Sequence, residues 1–505
     1  MSTPTHTVAD SATPGESLSR NKLGIAGIVF FVVAAAAPLV GMTGAVPVAI
    51  GLGNGAGAPG AYLVAGIVLL IFSVGYSTMS HEVSNAGAFY AYVGRGLGSI
   101  AGVGSAFTSL VAYLAVQLAI FGFFGSVAST QLNAKLGTDL SWWAWCLIAW
   151  AIVTVLSVLQ VDIGAKLLGV LMGVEVLSLV LTALAVIFQG GGKDGLDLAA
   201  SFAPNHIFAG GFTGGAGIAL AFAFASFIGF EATAIYAEEA KDPKRAVPIA
   251  TYTAIGLISV LFAVTSWAIV SGIGSADAVG NVMKASDNLG NPAEVVFSVA
   301  REFVGGWLAT TMSWLVLSSL FAGLLAFQNS AARYFFALGR ARVLPRVFDR
   351  VNKHGAPVVG ALATSVIAGV VIVIFAIAKK DPFLNMFSWF SSMTVLAILL
   401  VEALVSLSVI VYFARKGASH WWRTLLAPAL SILGLGMAFY LVMARFGLLA
   451  GTVAAGVDPT TQTFGLSTLG WFLVLLPAIS LVVGLAVGAL RRNTENADAI
   501  ADLVS

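Results

Sequence analysis

The chain has 505 residues, of which 59% are hydrophobic and 10% are charged, and its net charge at pH 7 is +2. A soluble globular protein carries about 25% charged residues, so this composition excludes an ordinary soluble domain and predicts an integral membrane protein. The small, scattered net charge is not that of a nucleic-acid-binding protein. The single cysteine, Cys146, excludes an intrachain disulfide, and nothing in the sequence predicts a metal or another cofactor.

Apolar stretches recur from residue 23 to residue 490, which predicts one transmembrane domain. The polar residues 1–22 and 491–505 on either side predict a disordered cytoplasmic tail at the N-terminus and a second cytoplasmic tail at the C-terminus. Because about 20 apolar residues cross a bilayer, we expect twelve spans. They lie near residues 25–50, 59–80, 99–130, 142–160, 164–188, 213–239, 246–271, 302–338, 356–378, 382–413, 424–444 and 466–489.

The distribution of basic residues predicts the orientation. With twelve spans, 18 lysines and arginines fall on the side of the N-terminus and 7 on the other side, which accounts for all 25. The positive-inside rule therefore predicts that both termini are cytoplasmic. Few lysines, many alanines and glycines, and no segment of the signal-peptide kind favour a bacterial inner (cell) membrane.

The first span contains residues that disfavour a continuous helix. Pro38, Gly41, Gly44 and Pro47 interrupt its apolar run about halfway across. We expect the backbone to break there and to free the amide groups near Met42, Thr43 and Gly44, which would then bind an anion such as a carboxylate. The alternative is a simple proline kink that is packed by small residues.

The sixth span repeats this feature. A glycine-rich stretch at 210–217 leads to Ser226 and Gly229, and Glu231 follows at membrane depth. Two interrupted spans at corresponding positions indicate an inverted-repeat transporter with its site near the midplane. A carboxylate at that depth marks a cavity, a partner or an ion path. Glu231 is therefore either a proton carrier or a permanent acceptor for the backbone of the broken helix.

Three further polar residues lie within apolar spans. Glu175 in the fifth span would coordinate a cation such as Na⁺, serve as a second proton site, or pair with a polar neighbour in the third or eighth span. Gln117 in the third span is a candidate pocket residue, although such residues more often join helices. Glu402 in the tenth span is also intramembrane, and no motif assigns it a role.

Three segments, in order, resemble the amino acid-polyamine-organocation (APC) superfamily of permeases. They are NAGAFYAYVG at 85–94, GFE at 229–231 together with EEAKDPKRAVP at 238–248, and NSAARYFFALGRARVLPRVFDRVNKHGAP at 329–357. The resemblance covers nearly all of the chain after residue 22. It implies an all-α, LeuT-like fold with a 5+5 inverted repeat, helices 1 and 6 broken, and two extra C-terminal spans at 424–489.

In this superfamily the first break binds the substrate carboxylate and the sixth receives the amino group through carbonyls. Several relatives carry a lysine where this chain has Glu175. The resemblance implies a substrate site at Gly41, Met42, Thr43 and Gly44 and at Ala225, Ser226, Phe227 and Ile228. The neighbouring Gly229 and Phe230 and the polar Gln117 complete the expected substrate site. From their position in apolar spans, Glu231 and Glu175 are the residues expected to couple transport to a proton or another ion.

The expected function is secondary active transport of an amino acid, small and neutral, or of a related amine, by alternating access. The expected coupling partner is a proton, with sodium less favoured, and membrane lipids surround the protein. Alternatives are an amino acid exchanger, a polyamine or amine permease, and a sensor that binds without transport. The five histidines are scattered and no nucleophile motif stands in a suitable context, so we expect no enzyme. A channel would show a repeated filter, which the sequence lacks. The oligomeric state is left open.

Overall fold

The computed structural model describes residues 24–83, 88–159, 165–231, 233, 242–352, 355–417 and 420–492. These ranges are helical, with no β-strand and one isolated antiparallel bridge between Val453 and Leu466. The two predicted tails lie outside the described residues, apart from Arg491 and Arg492. The helices are α1 (Ile25–Ala35), α2 (38–54), α3 (Ala58–Ser80), α4 (Ala88–Leu97), α5 (Ser99–Leu136), α6 (Trp142–Leu159), α7 (Ala165–Phe188), α8 (Leu198–Phe202), α9 (Pro204–Ile207), α10 (Ala216–Ala225), α11 (Pro243–Ile273), α12 (Ala278–Ala285), α13 (Ala293–Phe303), α14 (Gly306–Arg340), α15 (Val358–Ile377), α16 (Ser388–Lys416), α17 (Ala427–Ala444), α18 (Phe446–Ala450) and α19 (Thr468–Arg492).

Within the described ranges, ten helical runs are long and apolar enough to cross a membrane. Nine coincide with predicted spans three to five and seven to twelve, and the tenth, Pro38–Ser80, contains the second span and the C-terminal part of the first. The predicted first span is divided between α1 and the start of this run. Of the predicted sixth span, α10 and the turns that follow it to Glu231 are described, whereas residues 234–241 lie outside the described residues. The prediction of an all-helical, multi-pass membrane protein is therefore confirmed.

The outward faces of the long helices are apolar. On α15, for example, Val366, Val370 and Ile377 are 60%, 52% and 76% exposed. A soluble protein rarely presents a continuous surface of this kind, whereas hydrocarbon chains solvate it well. These faces are the surfaces expected to contact lipid.

Capping residues close to the helix ends stabilise several of the helices. Asp197 and Asp277 accept hydrogen bonds from the amides of Ala200 and Gly280 at the starts of α8 and α12. At the other end, Gly417 terminates α16 in the left-handed conformation with φ of 69°. Such caps satisfy backbone groups that the helix itself leaves unpaired.

The long helix α5 lies at the centre and packs against α4, α14, α16 and α19. Its contact with α19 depends on small residues, because a Cβ atom on Gly484 would lie 2.8 Å from the Cα of Gly104. Small residues allow two membrane helices to approach closely and gain van der Waals contact. The helices that carry the interruptions described below pack around this centre.

An ion pair joins the ends of α3 and α16. The Nζ of Lys416 lies 2.6 Å from Oε2 of Glu82, and the Tyr412 hydroxyl donates to the same oxygen at 3.0 Å. The hydrogen bond from Lys416 lowers the pKa of Glu82 below its ordinary value of 4.5. A depressed carboxyl pKa stabilises the fold above the ordinary value, and this contribution is lost as the pH falls through the folded-state pKa.

We therefore expect Glu82→Gln to lower the melting temperature slightly at pH 7, by about 1 °C, because partly exposed pairs are weak. At pH 3 the difference from the wild type should be smaller, because the wild-type carboxylate is progressively protonated as the pH falls through its folded-state pKa. Thermal unfolding of purified protein in detergent at the two pH values measures this. An equal difference at both pH values would contradict a role for the Glu82 charge.

Candidate functional site at two interrupted helices

The first interruption lies between α1 and α2. Helix α1 ends at Ala35, Ala37 adopts a left-handed conformation with φ of 42°, and Pro38 begins the next helix. A proline disfavours the α conformation in the residue before it and is well tolerated at the first helical position. The new helix leaves the amides of Leu39 and Val40 without an intrahelical acceptor, whereas Gly41 already donates to the carbonyl of Ala37 at 3.1 Å.

This interruption lies at Pro38, one of the predicted helix-breaking residues, but the prediction of free amides near Met42, Thr43 and Gly44 is wrong. Gly41–Ala45 is helical with a π pattern, and Thr43 Oγ1 donates to the carbonyl of Leu39 at 2.7 Å. Glycine disfavours a helix only weakly, whereas the residue before a proline is pushed out of the α region, so the break forms at Ala37. The amides that the break frees are therefore nearer the start of α2 than Met42 and Gly44.

The second interruption follows α10, at the predicted residues. The helix ends at Ala225, and tight turns continue to Glu231. The amide of Ile228 donates to the carbonyl of Ala225 at 3.2 Å, and Gly229 has a φ of 110°. A residue with a side chain rarely adopts that φ, so glycine permits the turn.

The two interrupted segments approach each other closely. A Cβ atom on Gly41 would lie 3.3 Å from Ser226 Oγ and 2.6 Å from the ring of Phe262 on α11. Ser226 Oγ itself donates to the carbonyl of Phe222 at 2.9 Å. Glycine at position 41 is therefore what lets α2 and α11 meet beside the start of the second interruption.

The other predicted residues of α2 face different neighbours. Met42 Sδ accepts a hydrogen bond from Thr265 of α11 at 3.2 Å, and Gly44 packs against Phe123 of α5, where a Cβ would lie 2.7 Å from the ring. The predicted residues of the first interruption are thus buried on more than one face of α2.

Tyr62 on α3 lies at the same place. Its ring stacks on Phe262 with centroids 5.1 Å apart, and its hydroxyl lies beside Ser226. The residue is fully buried, and its hydroxyl makes no well-aligned hydrogen bond to a described residue, although Ser226 lies close enough to interact with it. Buried hydroxyl groups are normally paired, so this group is available to a ligand between the interruptions.

Glu231 is held by three different segments. Its Oε1 accepts from the Tyr113 hydroxyl of α5 at 2.6 Å, and its Oε2 accepts from the Gly229 amide at 2.8 Å. Its backbone carbonyl accepts from the Tyr76 hydroxyl of α3 at 3.0 Å. Both carboxylate oxygens therefore have donors, as an ionised carboxylate requires when it is 1% exposed.

The rings around this carboxylate form an aromatic cluster. Phe230 makes edge contacts with Phe72, Tyr76 and Phe89, at centroid distances of 6.0, 6.2 and 6.4 Å. Through Phe230, the cluster packs the second interruption against α3 and α4. It also excludes water from the hydrogen bonds of Glu231.

Glu175 lies apart from this network, between α7 and α14. Ser319 Oγ donates to its Oε2 at 3.0 Å, and the residue is 4% exposed. The start of α2, Pro38–Val40, packs against the same two helices. The eighth-span partner that the sequence allowed is therefore present, close to the first interruption.

Gln117 joins helices. Its Nε2 donates to Oε1 of Gln328 on α14, whose own Nε2 donates to the carbonyl of Ala361 and to Ser365 Oγ at 2.8 and 2.7 Å. The two amides thus connect α5 to α14 and α15. Of the two roles considered for Gln117, a pocket residue or a residue that joins helices, this contact corresponds to the second.

Sequence reasoning missed Tyr62, Tyr113 and Phe262. Tyr113 carried a usable signal, because it lies one helical turn before Gln117 and a hydroxyl within a span needs a partner. Phe262 carried none, since one phenylalanine among many in apolar helices is not distinctive. Among the described residues, no group of histidine, cysteine, aspartate and glutamate could hold a metal ion.

Comparison with known proteins agrees with this architecture. The chain is 26% identical over 350 residues to the branched-chain amino acid permease BcaP of Lactococcus lactis subsp. cremoris, which is 64% of this chain and 70% of that permease. It is 22% identical over 335 residues to the probable threonine/serine transporter YbxG of Bacillus subtilis, covering 65% and 68% of the two chains. It is 28% identical over 243 residues to the lysine-specific permease LysP of the same Lactococcus, covering 46% of each.

A family model supplies the assignment. The model described as amino acid permease matches residues 27–488, which include both interruptions and every helix that lines them. The match covers almost the whole chain, including the described helices and both interruptions. The protein is therefore a member of the amino acid permease family, a transporter family within the APC superfamily.

Proposed function

We propose that this permease is a secondary active transporter that carries an amino acid across the cell membrane by alternating access. The two interruptions would act as hinges around a fixed site, in a LeuT-like arrangement of five plus five spans with two extra C-terminal spans. Both termini would lie in the cytoplasm, as the excess of basic residues on that side favours.

The close approach of the two interrupted helices is the observation that supports this proposal most strongly. Gly41 and Ser226 lie together beside the hydroxyl of Tyr62, and the backbone is irregular on both sides of them. Irregular backbone at membrane depth persists where protein or a polar ligand satisfies it. An amino acid carries the carboxylate and the amino group that such amides and carbonyls would bind.

The side chains near the site favour a small neutral substrate. Phe227 and Phe262 are buried and apolar, and no carboxylate or basic side chain stands between Gly41 and Ser226 among the described contacts. Two of the relatives are named for branched-chain amino acids and for threonine and serine. The relative named for lysine keeps a cationic amino acid or an amine as the alternative substrate class.

Proton coupling is the energy source that we propose. Glu231 and Glu175 are buried carboxylates at membrane depth, and such groups commonly serve proton or ion paths. Glu175 accepts a single side-chain hydrogen bond, from Ser319, so it has acceptor capacity for a proton or a cation. The two donors on Glu231 support the alternative in which that carboxylate holds the broken helix.

Uptake by purified protein in proteoliposomes tests the proposal. Labelled amino acids and amines are offered with and without an inward proton gradient, at fixed sodium, and with empty or amino acid-loaded vesicles. Accumulation that requires the gradient supports proton symport. Uptake that ignores the gradient and requires internal amino acid would make the protein an exchanger, and binding without uptake would make it a sensor.

Tyr62→Phe is expected to raise the stability of the empty protein and to lower its affinity for the substrate. Removing a buried hydroxyl that makes no well-aligned hydrogen bond should stabilise the empty protein by about 1 kcal/mol, because a poorly paired buried polar group costs about 1–3 kcal/mol. If the hydroxyl binds the substrate, KM for uptake should rise about tenfold. Melting temperature without substrate and initial uptake rates measure the two effects. An unchanged KM would remove Tyr62 from the site.

A further inference from the structure

The tenth span carries a buried carboxyl group that the site described above does not use. Glu402 lies in the interior of α16 and is 1% exposed. Its Oε2 atom has no hydrogen-bond partner among the described residues. The ion pairs formed by those residues, Arg301–Glu294 and Lys416–Glu82, do not include it. Buried carboxyl oxygens are normally paired, so this group requires an explanation.

Glu402 lies on a helix that packs against the helices around Glu231. Glu402 interacts electrostatically with Glu231 across the interface between α16 and the second interruption. Helix α16 packs against α3, α5 and α10, which are the helices that surround Glu231. About two turns to one side of Glu402, Thr394 contacts the carbonyl of Ala112, the neighbour of Tyr113.

The two carboxyl groups differ in their hydrogen bonds. Glu231 accepts from Gly229 and Tyr113, one donor on each oxygen, which suits the ionised form. Glu402 has no donor on Oε2, which suits the protonated form. Two neighbouring buried carboxyl groups repel each other when both are ionised, so the pair favours one charge and one proton. Because Glu231 has a hydrogen-bond donor on each carboxylate oxygen, we expect Glu231 to be the ionised member of the pair and Glu402 to be the protonated one.

The helices packed against α16 carry further titratable groups, and no ion pair of the described residues joins any of them to Glu402. The groups are Tyr62 and Tyr76 on α3, Tyr90, Tyr92 and Arg95 on α4, Tyr113 and Lys135 on α5, Arg423 before α17, Tyr440 on α17, and Arg491 and Arg492 on α19. No cation among the described residues therefore compensates a charge on Glu402.

We propose that Glu402 is the exchangeable proton site of this permease and that Glu231 is the fixed anion that holds the broken helix. A hydronium ion in external water would give its proton to a carboxylate oxygen of Glu402, so one O–H bond of hydronium breaks as the carboxyl O–H bond forms. On the cytoplasmic side the carboxyl O–H bond breaks and a water molecule accepts the proton, which regenerates the carboxylate. This inference rests on the proton coupling proposed above.

Glu402→Gln in proteoliposomes tests the assignment. Glutamine resembles the protonated acid, so the substrate-loaded carrier should still change conformation and exchange internal for external substrate at a rate within about twofold of the wild type. It cannot release a proton, so accumulation should be lost. Under a gradient of two pH units a one-proton symporter reaches up to about 100-fold accumulation, and the variant should stay near onefold.

Two variants serve as controls. Glu402→Asp keeps an ionisable acid and should retain gradient-driven accumulation. Glu294→Gln makes the same chemical change in the ion pair with Arg301 at the end of α13 and should behave as the wild type.

Each outcome has a definite meaning. Accumulation by Glu402→Gln at the wild-type level would overturn the assignment and leave the proposed symport intact. Loss of both exchange and accumulation in a folded variant would also overturn it, because it would indicate a structural or substrate-binding role. A wild-type protein that exchanges but does not accumulate would refute proton coupling itself, and this inference with it.

Infrared spectroscopy provides a measurement that does not depend on transport. The wild type should show the carbonyl band of a protonated carboxyl group at neutral pH, and Glu402→Gln should lack that band. Should the glutamine variant fail to fold, Glu402→Asp should shift the band. A spectrum that is identical in the wild type and both variants would contradict a proton on Glu402.

Discussion

Replacement of Glu231 by alanine is expected to lower transport of every kind, both uptake and exchange, by about 100-fold. The substitution removes the acceptor of the Gly229 amide and of the Tyr113 hydroxyl, and it leaves both donors buried. Hydrogen bonds to a charged group are worth about 1.5–3 kcal/mol each, so a loss of roughly 3 kcal/mol of stability should accompany the loss of function. Uptake, exchange and thermal unfolding measure the three effects.

Glu231→Gln gives the matched comparison. A glutamine amide keeps one oxygen for the Gly229 amide, and its NH₂ group can donate to Tyr113, whose hydroxyl can rotate to accept. We therefore expect this variant to fold and to keep gradient-driven accumulation within about tenfold of the wild type. Abolished accumulation with normal exchange would instead identify Glu231 as the proton carrier and would contradict the division of roles between Glu231 and Glu402.

Gly41→Ala is expected to produce the second largest effect. The added Cβ would lie 2.6 Å from the Phe262 ring, and that ring is fully buried and stacked on Tyr62. Overpacking of this kind costs about 1–3 kcal/mol. Because the displaced groups surround the proposed site, we expect uptake to fall about tenfold, as measured in proteoliposomes with a neutral amino acid.

The chain provides a matched control and a compensating change. Gly256→Ala adds the same methyl group to α11 at a position with nothing within 4 Å, and it should transport as the wild type does. Phe262→Leu should relieve the contact in the double variant with Gly41→Ala and restore part of the uptake. Equal uptake by the Gly41 and Gly256 variants would show that the close approach of α2 and α11 is not needed.

These predictions assign different roles to carboxyl groups that the sequence presents alike. Glu231, Glu175 and Glu402 each lie in an apolar span, and all three are buried. They differ in the donors that the fold supplies: two on the carboxylate of Glu231, one on that of Glu175, and none on Oε2 of Glu402. The number of donors determines which buried carboxyl group is stable as an anion.

Much of the fold followed from local properties of the sequence. Hydropathy and span length predicted the ten long helices to within a few residues at most ends, because a bilayer requires about 20 apolar residues per crossing. The second interruption was also predicted correctly, since the φ of 110° at Gly229 demands glycine. Of the residues predicted to break the first span, Pro38 does so, while Gly41 and Gly44 lie inside a helix, because the steric restriction by Pro38 outweighs the weak helix propensity of glycine.

The sequence by itself determined the class of the protein, the positions of its long helices and the residues at which the sixth span is broken. Only the tertiary structure decided which polar groups meet. Tyr113 and Tyr76 bond to Glu231 across 118 and 155 positions of the chain, Gln117 pairs with Gln328, and the helix of Glu402 packs against the helices around Glu231. Hydropathy and helix breaking depend on neighbouring residues, whereas these pairings depend on how distant helices pack, and no local pattern encodes that packing.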